Sequence, residues 1–267
     1  MPTSIQALLL GIVQGITEFL PVSSSAHLIL ARAFFGFDGD KFGLAFDVAC
    51  HVGTLIAVLI FFRRDVARMV AALPRLFDVA DPNARLIWLI AVGTIPAIVA
   101  GLLFKRQIED HLRTPMVAAV TLALGAVLFF VAERGSKTRG EGSLTLVEAF
   151  LIGGAQAVAL VPGVSRSGAT LTAALIIGLR RAGAARFIFL LAIPAFLGAA
   201  ASEAPKLLNA GLGDTAPLFL IGVVSSAIVG YAAVKYFIRY LGDHSLAAFA
   251  WYRLALAATV VVWLWRA

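Results

Sequence analysis

Two stretches of this chain set ionisable and hydroxyl side chains among apolar neighbours. The first runs from Gln14 through Glu18, Pro21, Ser23, Ser24 and Ser25 to His27; the second runs from Gln156 through Pro162, Ser165, Arg166, Ser167 and Gly168 to Thr170. Glu18 is the only formal charge between Ile5 and Ala31, and Arg166 the only one between Ala149 and Leu179. A carboxylate in apolar surroundings is costly unless it is paired, protonated or bound to a cation, which makes it a functional group by default. Glu18 therefore reads as an acid, a base or a cation ligand, against the blander role of a carboxyl bonded to a helix end. Gln14 lies one helical turn before it on the same face and suits orientation or ligand binding. His27, beside hydroxyls and a carboxylate, is a candidate base or nucleophile, although a lone histidine more often fills an interior hydrogen-bonding role. Ser165, Arg166, Ser167, Gly168 and Thr170 combine a guanidinium fork, hydroxyls and a glycine at a helix start, the makings of an oxyanion or phosphate cradle. Asp47 and His51, at i and i+4, either extend this site or form a structural ion pair.

The two stretches are copies. Gly11 matches Gly153, Gln14 matches Gln156, and Ser23 and Ser25 match Ser165 and Ser167, at a constant offset of 142 residues, with the prolines one residue out of step. Each copy has apolar flanks around a Pro-, Gly- and Ser-rich centre. Proline breaks a helix, and broken backbone at membrane depth survives only where protein or a wet cavity covers it. Both are therefore expected as re-entrant helix–loop–helix hairpins, over about 5–34 and 147–180.

The rest of the chain fixes the class. Its 267 residues are 61% hydrophobic and 14% charged, well below the charge content of a soluble domain. Six apolar segments are long enough to cross a bilayer, at about 42–62, 86–104, 115–132, 186–203, 216–234 and 247–265. The fold expected is an all-α polytopic membrane protein, one membrane domain over 1–267. Repeat 1 covers about 1–135 and repeat 2 about 145–267, each a hairpin followed by three spans. Three spans carry the chain across, so the second hairpin enters from the opposite face. This is an inverted-topology repeat, whose site belongs near the midplane, with Glu18 and Arg166 as its two halves.

Loop charges set the orientation. Arg63, Arg64, Arg68, Arg75 and Arg85, then Arg134, Lys137 and Arg139, then Arg180, Arg181 and Arg186, then Lys235 and Arg239, fall on one side by this count. Their excess places that side in the cytoplasm and both termini outside, with the site opening outward. The net charge of +7 is thereby accounted for without nucleic acid, since no basic stripe with interleaved aromatics is present. The start of the chain lacks the basic region and cleavage site of a signal peptide. Cys50 reads as a small core residue, and His111 and His244 as solvated loop residues. Zinc spacing, a Walker motif and GxSxG are absent from the sequence.

These motifs resemble those of the undecaprenyl pyrophosphate phosphatase family, the integral-membrane bacitracin-resistance type. The resemblance rests on Gln14-Gly15-Ile16-Thr17-Glu18 running into Phe19-Leu20-Pro21-Val22-Ser23-Ser24-Ser25-Ala26-His27, and on the unbroken Pro162–Thr170 signature. It extends over the chain's length and span pattern, except that the first acidic position of the family motif is Gln14 here. The resemblance implies hydrolysis of a C55 polyprenyl diphosphate to the monophosphate carrier of cell-wall synthesis and inorganic phosphate, with bacitracin resistance, in a bacterial cytoplasmic (inner) membrane. It implies a divalent cation, Mg2+ or Ca2+, held at Glu18. Carried over, Glu18 is the catalytic carboxylate, Arg166 holds the diphosphate, and Ser24 or His27 is the nucleophile unless a water attacks. Ser165 and Thr170 fall at phosphate-binding positions, and Gln14, Ser23, Ser167 and Gly168 complete the expected substrate contacts. The expected partners are the polyprenyl diphosphate and membrane lipids; the oligomeric state is left open, with a homodimer as the candidate. An inverted repeat with broken helices is also a transporter architecture, so a polyprenyl-phosphate flippase or other secondary transporter is the competing expectation.

Overall fold

The computed structural model describes residues 2–39, 41–78, 80–210 and 213–266, and these contain helices but no strand. The first pair of helices is α1 (Thr3–Phe19) and α2 (Ser24–Phe35). Next come α3 (Leu44–Phe61), α4 (Arg63–Ala72), α5 (Pro82–Gln107) and α6 (Pro115–Arg134). The second pair is α7 (Leu146–Val158) and α8 (Arg166–Ile176), followed by α9 (Arg181–Ala210), α10 (Ala216–Asp243) and α11 (Ala247–Arg266). Six helices are long and apolar enough to cross a membrane: α3, α5, α6, α9, α10 and α11. They coincide with the six expected spans, and the chain is an all-α, multi-pass membrane protein. Apolar side chains line its outside, Leu220 at 64% exposure among them, because lipid rather than water is the neighbour there.

The two copied stretches are the exceptions to spanning length. Their helices have 17, 12, 13 and 11 residues, against the roughly 20 that a span needs. Each pair is broken at its proline, between Phe19 and Ser24 and between Val158 and Arg166, and within each pair the two helices pack on one another.

Packing exchanges the two halves. α1 lies against α10, α7 lies against α5, and α6 pairs with α11. Glycine permits the closest of these approaches. A Cβ at Gly153 would sit 2.0 Å from the Gly93 carbonyl oxygen, and one at Gly11 would sit 2.9 Å from that of Gly222. Small residues let helix backbones touch where no hydrophobic effect drives association.

The loops that the span count places on one side do meet at one end. Arg186 pairs with Asp65 at 2.8 Å and with Glu141, Arg181 pairs with Glu133, and Arg139 pairs with Glu148 at 2.7 Å. The segment 63–85, taken as a loop from its charge, is in part helical: α4 fills Arg63–Ala72. Its arginines mark the water-facing side of an amphipathic surface helix, a pattern that span-length hydropathy does not register. His111 likewise lies in a π-helical turn (Ile108–Leu112) that extends α5, and not in a loop.

Candidate active site

The two proline breaks meet. Their serines adopt the same backbone conformation, φ 73° at Ser23 and φ 72° at Ser165, in a region that L-residues rarely enter. Each caps the helix that follows: Ser23 Oγ accepts from Ala26 N at 3.4 Å, and Ser165 Oγ accepts from Gly168 N at 3.1 Å. Two residues on, Ser25 and Ser167 lie 3.2 Å from those same hydroxyls. Ser25 Oγ also accepts from Gly163 N at 3.4 Å, while Ser167 Oγ donates to Leu20 O at 3.2 Å. Each turn is thus stitched to the other. The starts of α2 and α8, where N–H groups have no intrahelical acceptor, come to one place.

Glu18 stands at that junction, 6% exposed. Arg166 Nη2 donates to its Oε1. Its Oε2 accepts from Gln14 Nε2 at 2.8 Å and from Ser24 Oγ at 2.6 Å, and His51 Nε2 lies 3.4 Å away. His51 Nδ1 is 2.7 Å from Asp47 O, a carbonyl that can only accept, so the other ring nitrogen is turned to Glu18. The Arg166 guanidinium lies 3.8 Å above the Phe196 ring of α9, a cation–π contact that steadies it.

This cluster faces a cavity of about 450 Å³. Glu18, Ser24, His51, Ser165 and Arg166 line its polar part, and Ala97, Ile98, Leu160 and Pro194 are among its apolar wall. The lining continues to Lys105, Glu109 and Arg113, at the end opposite the ion-pair belt. A polar pocket with an apolar extension suits an anionic headgroup on a hydrocarbon tail.

The remaining sequence-predicted residues fall in three places. Ser23, Ser25 and Ser165 line the cavity, but their hydroxyls are committed to the turns. Ser167, Gly168 and Thr170 lie behind Arg166: Thr170 Oγ1 donates to Arg166 O at 2.7 Å, and a Cβ at Gly168 would meet the Phe129 ring at 2.9 Å. None of the three is on the wall of this cavity, but Ser167 and Thr170 line a second, small pocket together with Glu18 and Arg166. His27 turns its ring toward α11, where its Nδ1 lies 2.7 Å from Ser23 O and its Nε2 2.7 Å from the Tyr252 hydroxyl. It is absent from the cavity wall. Asp47 and His51 divide: His51 joins Glu18, and Asp47 pairs with Arg32 and, at 2.9 Å, with Arg113.

Arg253 on α11 has no counterpart among the sequence-derived candidates. It is fully buried, and its guanidinium donates to the carbonyls of Pro21 (3.3 Å), Gly163 (3.0 Å), Val164 (3.2 Å), Thr121 (3.1 Å) and Leu122 (3.1 Å). Both proline turns are thereby fastened to one cation. A lone charge within an apolar span was its signal, the same one that marks Arg166.

For a cation beside the two motifs, the wall offers the Glu18 carboxylate and the Ser24 hydroxyl; Asp47 is held by two arginines, and Glu109 lies at the other end of the lining, beside Lys105. Among the described residues, no three His, Cys, Asp or Glu side chains gather as ligands. One carboxylate and one hydroxyl fit a cation that takes its other oxygens from phosphate and water, not one caged by protein alone.

The sequence pattern of the bacitracin resistance protein BacA matches residues 7–259. The chain belongs to the BacA family. An undecaprenyl-diphosphatase of Rubrobacter xylanophilus is 50% identical over 262 residues, 96% of each chain. Proteins of the same name from Moorella thermoacetica and, as undecaprenyl-diphosphatase 2, from Stutzerimonas stutzeri are 43% and 46% identical, with 98% and 97% of each chain covered. Both motifs and Arg253 lie inside the BacA match.

Proposed function

We propose that this BacA-family chain hydrolyses undecaprenyl diphosphate to undecaprenyl phosphate and inorganic phosphate, recycling the lipid carrier of cell-wall synthesis and so conferring bacitracin resistance. The observation that carries the reading is the Glu18–Arg166 pair, which joins one motif to the other in a single cavity. Family membership supplies the substrate.

Phosphoryl transfer needs positioning and charge neutralisation more than covalent machinery. Arg166 turns from Glu18 to the phosphate oxygens, aided by N–H groups at the starts of α2 and α8. Glu18, released from its ion pair, takes the proton of the Ser24 hydroxyl that already donates to it. Ser24 Oγ bonds to the terminal phosphorus as the bond from that phosphorus to the bridging oxygen breaks, and polyprenyl monophosphate leaves. Water then cleaves the phosphoserine and releases phosphate. If Ser24 instead positions the water, the same proton path serves and no adduct forms. Ser24 is favoured over His27 because it lies on the cavity wall and touches Glu18. A divalent cation, Mg2+ or Ca2+, would be held by Glu18 and Ser24 with the diphosphate itself, and would offset the charge of the phosphate oxygens when bound.

The two helix pairs are re-entrant in this reading, and the halves form an inverted repeat. Their sub-span lengths and the exchanged packing of α1 on α10 and α7 on α5 support it. The membrane is the bacterial cytoplasmic one, with both termini and the cavity mouth outside. Support comes from the arginine-rich ion-pair belt at the opposite end.

Purified protein in detergent should release phosphate from undecaprenyl diphosphate, lose that activity to a chelator and regain it with Mg2+ or Ca2+. Absence of release under all three conditions overturns the activity. A reporter fused after Arg266 should be active outside the cell, and a cytoplasmic signal overturns the orientation.

A further inference from the structure

Gln156 is a buried polar side chain on the cavity wall with no hydrogen-bond partner and no part in the reaction just described. Gln156, on α7, is 2% exposed and lines the cavity, yet neither its Oε1 nor its Nε2 hydrogen-bonds to any protein group. Thr94 and Ser202, polar residues on the same wall, are satisfied by Ile90 O and Ala199 O. Leaving a buried polar atom unpaired costs about 1–3 kcal/mol, so an amide left this way in the fold, sealed from solvent at the cavity wall, gains a hydrogen bond by turning to a ligand that enters the cavity.

The repeat explains how it came to be free. Gln14, at the equivalent position, donates to Glu18 one turn further along. One turn beyond Gln156 the second copy has Leu160, so no carboxylate receives the amide. Leu160, Ala159 and the α5 residues Thr94, Ala97 and Ile98 make this part of the wall largely apolar. The reacting phosphate belongs with Glu18, Ser24 and Arg166. Beside it, a lipid diphosphate presents its second phosphate, where charged oxygens give way to hydrocarbon. A neutral donor set in an apolar wall matches that junction.

We infer that Gln156 Nε2 donates to an oxygen of the carrier-side phosphate, the one that stays on the polyprenol. Gln156 is thereby a specificity-determining residue that separates lipid-linked phosphate from free phosphate. The inference rests on the proposed phosphatase reading and deepens it.

The test compares the purified full-length wild type with Gln156→Leu and Gln156→Met. Undecaprenyl monophosphate and inorganic phosphate serve as separate inhibitors, and thermal unfolding is followed in the same detergent. Both variants should raise KM for the diphosphate and weaken inhibition by the lipid monophosphate roughly ten- to hundredfold, the weight of one hydrogen bond to a charged acceptor. Inhibition by inorganic phosphate should be unchanged and the thermal midpoint equal or higher, because a buried unpaired amide has been removed. Unchanged inhibition by the lipid monophosphate overturns the inference, as does a midpoint lowered in both variants, which would make the amide part of the fold. If wild type releases no phosphate at all, the activity falls instead. Direct binding of the lipid monophosphate to wild type and variants then still decides the role of Gln156.

Discussion

Ser25 and Ser167 hold equivalent places in the two motifs, and each hydrogen-bonds into the other's turn. Ser25 Oγ accepts from Gly163 N, and Ser167 Oγ donates to Leu20 O. The cavity floor is therefore one structure made of two sequences, and damage to either turn reaches both. Glu18 and Arg166 inherit their alignment from this exchange.

That pair should behave as a unit. Glu18→Gln and Arg166→Met are each expected to lower phosphate release by on the order of 10²–10⁴. The double variant should fall within about tenfold of the slower single, because groups that act together are non-additive. Multiplicative losses in a phosphate-release assay would separate their roles.

Ser24 and His27 should diverge. Ser24→Ala removes a hydroxyl that donates to Glu18 and is expected to cost roughly 10²-fold or more in kcat. His27→Ala should cost less than about tenfold and match Tyr252→Phe, since the ring's Nε2 meets the Tyr252 hydroxyl outside the cavity. Acid-quench trapping should find phosphoenzyme in wild type and none in Ser24→Ala; an adduct persisting in that variant moves the nucleophile elsewhere.

Arg253 should be irreplaceable by lysine. An ammonium cannot reach five carbonyls spread over two turns and the α6 backbone, whereas the planar fork does. Arg253→Lys is expected to lower both the thermal midpoint and kcat, with at least a tenfold loss of turnover. Wild-type turnover in a folded Arg253→Lys protein would show that the turns hold themselves.

Glycines should sort by what faces them. Gly153→Ala drives a methyl against the Gly93 carbonyl oxygen and is expected to destabilise by about 1–3 kcal/mol or more. Gly198→Ala, with nothing within 4 Å of the added carbon, should leave the thermal midpoint unchanged or raised. Equal midpoints for the two would contradict the close approach of α7 to α5.

Much of this arrangement could be read before any coordinates. Six spans and two broken segments follow from hydropathy and proline, and the lone charges Glu18 and Arg166 do meet. What was missed has tertiary causes. The helices of α9 and α10 run past their apolar stretches, because a helix need not end where lipid does. The direction of the His27 ring depends on Tyr252, and its own neighbours in sequence hold no trace of that. Arg253 bonds only to backbone carbonyls, which every residue carries, so nothing in the chain spells out its partners. His51 had two sequence-level readings, and the carbonyl of Asp47 chose between them by turning the ring toward Glu18.

The anchorage of both turns on Arg253 has a consequence for synthesis. A chain that grows from its amino end acquires the first motif, then the second, and only with α11 the cation that holds their carbonyls together. Until that helix is inserted, Glu18 and Arg166 belong to turns without their common fastener. Closure of the two turns into one cavity floor is thus tied to delivery of the last described helix.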